Sequence, residues 1–182
     1  MIRTFIAVEL PDSIKKSVIS IQQEMDCKGL KLVKPELVHL TLKFLGDIPE
    51  SQVEPISTAL SEIHCTPFNA RVAGVGVFPN PSYIKVVWLG AQGEFDLLHS
   101  EVERVLKEFR FKKDTGKFTA HATLARVKFL DESSKSHMAR VLAELQDVDL
   151  GDFPVKNITL KKSTLTPKGP IYETLKEIPL HV

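Results

Sequence analysis

The sequence has little cysteine, no long apolar run and almost no net charge, and each shortage closes off a class of protein. Only Cys27 and Cys65 occur. They lack the even, close spacing of a small disulfide scaffold and the paired spacing of a zinc site, so both read as reduced thiols. No stretch approaches the ~20 apolar residues of a membrane span, and the run from Met1 to Val8 is too short for a signal peptide. The expected location is therefore the cytoplasm, with no membrane contact. A formal net charge of +1 excludes a general nucleic-acid coat, which grips phosphate with a clear excess of Lys and Arg. Any nucleic-acid contact should be local. What is present, 182 residues of which 43% are hydrophobic, suffices for one globular domain, with room for two lobes.

Residues 2–9 are dense in Ile, Phe and Val, and Pro11-Asp12-Ser13 opens a segment with Ile14, Val18, Ile21 and Met25 on one side, a strand followed by an amphipathic helix. Leu37 to Leu45 reads as a second strand, and Val53, Ile56, Leu60 and Ile63 mark a second helix by their spacing. Strands at about 68–78 and 83–90 flank Pro79-Asn80-Pro81-Ser82, a turn that joins them as a hairpin. Phe95, Leu98, Val102, Leu106 and Phe109 form one helical face, and a polar loop from Lys112 to Lys117 leads to a strand at about 119–129. A helix bearing Met138, Val141, Leu142 and Leu145 follows. Two strands, about 154–166 and 171–178, close the chain around Pro167-Lys168-Gly169-Pro170. The hairpins imply antiparallel pairing, so the expected class is α+β, with helices on the outer faces of mainly antiparallel sheet.

An internal echo refines this. His39-Leu40-Thr41-Leu42 runs through a strand toward an acidic helix start, and His121-Ala122-Thr123-Leu124 does the same 82 residues later. The chain reads as one bilobal domain, 1–182, made by internal duplication. Residues two apart on a strand share a face, so His39 with Thr41, and His121 with Thr123, present an imidazole and a hydroxyl to one surface. Leu40, Leu42 and Phe44 point the other way. Pseudo-symmetric packing of the halves brings both His-Thr pairs to a shared groove.

Facing imidazoles suit hydrolysis of a phosphodiester. One removes a proton from the attacking water and the other protonates the departing oxygen, and an unperturbed pKa near 6.5 allows one neutral and one charged ring near neutral pH. Thr41 and Thr123 are short donors for the non-bridging phosphate oxygens. Arg126 and Lys43 are further candidates for anion contact, although Arg126 has the opposite strand parity to His121 and needs a bulge to reach the groove. Phe5, Phe44, Tyr83 and Trp88 could stack a base, with Phe44 and Trp88 favoured as core. His64, His99, His137 and His181 have no Thr partner and read as structural. No carboxylate or thiolate stands at recognisable ligand spacing from His39 and His121, so no metal and no cofactor is expected.

At these residues the chain resembles the two-histidine phosphoesterases, specifically the LigT-like RNA 2′,3′-cyclic phosphodiesterases, also known as 2′-5′ RNA ligases. Arg3-Thr4-Phe5-Ile6-Ala7 resembles the family's opening strand, Val38 to Gly46 its first histidine motif and Val86-Val87-Trp88-Leu89-Gly90 its central strand. Phe118 to Arg126 resembles the second motif, and Lys162-Ser163-Thr164-Leu165 with Gly169-Pro170-Ile171-Tyr172 the final hairpin. Ala120 departs from the family, which more often has proline there. The resemblance implies metal-independent opening of RNA 2′,3′-cyclic phosphate ends to 2′-phosphates, with His39 as acid and His121 as base or, by symmetry, the reverse. It leaves two alternatives: a 2′-5′ RNA ligase acting on RNA or tRNA half-molecules, and a non-catalytic RNA-end binding module. The implied partners are RNA ends, tRNA fragments or small cyclic nucleotides, with no obligatory protein partner and a monomeric state.

Overall fold

A computed structural model describes residues 1–182. Strand β1 (Ile2–Glu9) is followed by helix α1 (Asp12–Met25), the short β2 (Leu30–Leu32), β3 (His39–Ile48) and α2 (Val53–Leu60). The hairpin β4 (Phe68–Asn80) and β5 (Tyr83–Gln92) leads to α3 (Phe95–Val105), β6 (His121–Val127) and α4 (Glu132–Leu145). Strands β7 (Asp149–Val155), β8 (Asn157–Thr166) and β9 (Gly169–Pro179) complete the chain. The expected α+β class holds, and every pairing is antiparallel. No helix is long and apolar enough to cross a membrane.

The strand order is β7-β4-β5-β6-β3-β1-β8-β9. This path divides into two four-stranded groups that meet where β3 and β6 share one residue pair, Leu40 opposite Ala122, and β2 is a ninth strand paired with β6 beside that junction. One lobe holds β6, β5, β4 and β7; the other holds β3 and β1 from the start of the chain with β8 and β9 from its end. The spacing predicts one strand at about 154–166 and none over 149–153, whereas β7 and β8 are separate strands. Gly151 and Pro154 disguise β7, but Pro is tolerated there because β7 lies at the sheet edge, where an N–H can be spared. Between β7 and β8 the chain crosses from one lobe to the other.

Each helix buries most of the stripe that its spacing foretells: Ile14, Val18, Ile21 and Met25 on α1; Ile56 and Leu60 on α2; Phe95, Leu98 and Val102 on α3; Met138, Val141 and Leu145 on α4. Val53 and Leu142 are only half-buried, and Ile63, Leu106 and Phe109 lie beyond the ends of α2 and α3. Asp131 caps α4 by accepting a hydrogen bond from the Ser134 N–H at 2.8 Å. The apolar faces of the strands join these stripes in one continuous core. That packing leaves the other face of the sheet, at the β3–β6 junction, free to form a groove.

Candidate active site

The junction pair sets the geometry of the site. In an antiparallel pair centred on Leu40 and Ala122, continuing the register sets Thr123 across from His39 and His121 across from Thr41. Leu40 and Ala122 turn into the core at 2% and 1% exposure, so the four flanking residues turn out. His39, Thr41, His121 and Thr123 all line one groove of about 850 Å³. The two His-Thr pairs thus converge as expected.

Both imidazoles are held in the same way. His39 Nδ1 lies 2.8 Å from the Leu37 carbonyl, and His121 Nδ1 lies 2.6 Å from the Thr119 carbonyl, each two residues upstream. A carbonyl only accepts, so Nδ1 carries the proton in each ring and Nε2 is the working nitrogen. The Thr41 hydroxyl is 2.8 Å from His39 Nε2 and donates to it when the ring is neutral. Aromatic rings fix the seats. Phe5 stacks on His39 with centroids 4.9 Å apart, and Tyr172 meets its edge at 5.3 Å. Phe78 meets His121 edge-on at 5.0 Å, with Trp88 at 6.1 Å. Gly76 makes room for Trp88, because a Cβ at Gly76 would penetrate the indole ring.

Burial pushes His39 below the ordinary imidazole range, outweighing the Leu37 carbonyl and Glu9, which favour its charged form. Burial raises the Tyr172 phenol, against the pull of Arg126 and Arg3, and keeps it protonated. Arg3 and Arg126 therefore stand near that phenol and supply positive charge to the groove.

Beyond the His-Thr pairs, two matching bulges redirect the chain. On β3, Ala7 faces Thr41 but Ile6 faces Lys43, which leaves Leu42 as the extra residue; on β6, Trp88 faces Thr123 but Val87 faces Ala125, which leaves Leu124 extra. Strand parity flips after each. Arg126 consequently lines the groove, by the bulge its parity required. The freed Leu124 carbonyl accepts from the Val33 N–H at 2.9 Å and from Gln22 Nε2 at 3.0 Å, so the distortion is satisfied within the core.

The same flip corrects other expectations. Phe44, read as core, is 59% exposed and lines the groove at the position equivalent to Arg126. Lys43, read as an anion contact, is buried, with Nζ 2.5 Å from Glu103 and 3.2 Å from the Lys112 carbonyl. Phe5 is 2% exposed and supports His39 rather than offering a free stacking face. Tyr83 sits at the tip of the β4–β5 hairpin under Lys85, away from the groove. Trp88 is half-buried. Arg3, Phe78, Lys117, Ser163, Lys168 and Tyr172 line the groove without having been singled out. The signal for Arg3 was its place as the sole exposed residue within the otherwise buried stretch Ile2–Val8 of β1. One group of metal-ligand character, His99, Glu103 and Asp114, lies in a neighbouring recess, where the Lys43 ammonium already engages Glu103.

Comparison with known proteins agrees with this architecture. A family model described as LigT like Phosphoesterase matches residues 8–88 and 90–172. A Methanocaldococcus jannaschii protein named RNA 2′,3′-cyclic phosphodiesterase is 38% identical over 176 residues, covering 96% of this chain and 99% of its own. An Archaeoglobus fulgidus protein of the same name is 39% identical over 177 residues, covering 96% and 98%. Among solved structures, a Thermus thermophilus protein aligns with a TM-score of 0.81 at 32% identity, covering 98% of this chain and 97% of its own. Escherichia coli LigT complexed with 3′-AMP shares the fold with a TM-score of 0.80 at 20% identity, covering 98% of both chains.

Proposed function

The chain belongs to the LigT-like phosphoesterases, and from that premise we propose that it opens RNA 2′,3′-cyclic phosphates to 2′-phosphates with His39 and His121 as a metal-independent acid–base pair. It is an enzyme of the RNA 2′,3′-cyclic phosphodiesterase class. The observation that carries the mechanism is the paired seating of the imidazoles, each with Nδ1 held by a carbonyl and Nε2 turned to one groove.

Water attacks phosphorus as the bond to O3′ breaks. One Nε2 takes the water's proton, the other ring gives its Nε2 proton to O3′, and the 2′-ester remains. Burial favours the neutral form of His39, and the matching seats of the two rings allow His39 as acid with His121 as base, or the reverse, an order that the pH profiles of the single variants decide. Proton exchange with solvent then resets the pair. Thr123 donates to a non-bridging oxygen, Thr41 joins it once its one O–H swings from His39 Nε2 to the phosphate, and Arg3 and Arg126 hold the negative charge that develops there. Phe44, exposed on the same wall, offers a face to the terminal base.

The test is kinetic. His39→Ala and His121→Ala should each lose ~10²–10⁴-fold in turnover, and the double variant should lose little more than the worse single one, because the two rings act as a unit. The native pH profile should be bell-shaped, with one limb disappearing in each single variant and the limb lost identifying the base and the acid. Near-native turnover in both single variants, with only weakened RNA binding, would make the groove a recognition site and end the enzymatic reading.

A further inference from the structure

A second recess, of about 780 Å³, adjoins the groove and shares Lys43, Asp114, Lys117 and Phe118 with it. Its chemistry differs from that of the groove. The segment 107–118 carries five cations and three phenylalanines in twelve residues, whereas the whole chain has a net charge of only +1. The cations Lys107, Arg110, Lys113 and Lys117 line the recess. None of them is in an ion pair, while the neighbouring Arg104 is held by Glu101 at 2.7 Å and Lys43 by Glu103. Asp114 is the one acid left in the lining to oppose them. Leu106, Phe111 and Phe118 form the apolar wall, and Arg110 is held at φ 56, a left-handed backbone that non-glycine residues seldom adopt. Phe118 is braced by a parallel stack on His99 at 4.1 Å, three residues before His121.

Free cations interleaved with aromatic faces are the pattern that grips single-stranded nucleic acid, the cations following phosphates and the rings accepting bases. We propose that this recess binds the single-stranded RNA immediately upstream of the cyclic end, so that the enzyme prefers oligonucleotide ends to cyclic mononucleotides. This rests on the phosphodiesterase reading for what lies in the groove. The recess itself stands on its own charge and shape.

The test compares the native enzyme with a Lys107→Gln/Arg110→Asn/Lys113→Gln variant, asparagine being chosen because it tolerates the left-handed backbone. The substrates are adenosine 2′,3′-cyclic phosphate and a ten-nucleotide RNA ending in a cyclic phosphate. A ten-nucleotide RNA ending in a 3′-phosphate serves for direct binding by fluorescence anisotropy. The expected result is a loss of ten-fold or more in kcat/KM and in binding for the ten-nucleotide RNA, with the mononucleotide rate within two-fold of native. Three lost phosphate contacts should also flatten the log–log salt dependence of binding by about 2. Unchanged handling of the ten-nucleotide RNA, or an equal loss on both substrates, would overturn the proposal. So would loss of oligonucleotide preference in Lys31→Gln/Lys34→Gln instead, which would route the strand past β2. If the native enzyme turned over neither substrate yet the triple variant bound RNA more weakly, the recess would stand and the reading of the groove would fall.

Discussion

The buried pair Lys43–Glu103 ties β3 to α3, the helix packed against it, and its two members should respond very differently to removal. The Lys43 side chain is 2% exposed and that of Glu103 31%. In Glu103→Gln the ammonium stays buried with the Lys112 carbonyl as its remaining strong partner. Leaving a buried charge uncompensated costs about 3–5 kcal/mol, and the partial exposure of Glu103 points to the lower figure, about 3 kcal/mol. For a chain of 182 residues that corresponds to a fall in Tm of about 6–12 °C. Lys43→Met removes the buried charge while keeping most of the stem's volume, and Glu103 can turn to solvent, so the cost should stay below about 1 kcal/mol. The double variant should also lie within about 1 kcal/mol of native, a coupling of about 3 kcal/mol across the cycle. Urea unfolding followed by circular dichroism measures all four proteins. A Glu103→Gln variant within about 0.5 kcal/mol of native, or a Lys43→Met variant that loses as much as Glu103→Gln, would refute the reasoning.

Two further outcomes follow from the seats of the histidines. Because the folded-state pKa of His39 lies below its unfolded value, the unfolded chain binds more protons as pH falls from about 6.5 to that lower value, so native stability should decline across this window. The decline should be shallower in His39→Asn, as read by urea midpoints at pH 7.5 and pH 5; equal slopes would show that burial does not disfavour the charged His39 ring. In Gly76→Ala the new methyl meets the Trp88 ring, so stability should fall by about 1–3 kcal/mol and turnover should drop as His121 loses its support. Native turnover at native stability would show that Trp88 does not position His121.

The positions of His39, Thr41, His121 and Thr123 were legible because strand alternation and a repeated tetrapeptide are local signals. They hold as far as Leu42 and Leu124. Beyond those residues alternation misassigns Lys43 and Phe44, because each bulge is set by pairing with a partner strand distant in sequence. The Leu124 bulge also depends on Gln22, whose amide meets the Leu124 carbonyl from 102 residues away. Helix faces were readable for the same reason that the His-Thr pairs were, since α1, α3 and α4 bury most of the residues their spacing selects. The edge strand β7 was hidden by its Gly and Pro, and the assembly of one lobe from both ends of the chain leaves no mark in any local window.

In the proposed mechanism two imidazoles, with no metal, open the cyclic phosphate toward the 2′-ester. Its most direct measurement is end-group analysis of a short RNA bearing a 2′,3′-cyclic phosphate after incubation with the enzyme in excess chelator. Catalysis by the two imidazoles requires full conversion to a single 2′-phosphate product at the rate seen without chelator. Activity lost in chelator and restored by one added divalent ion, or a 3′-phosphate product, would contradict it.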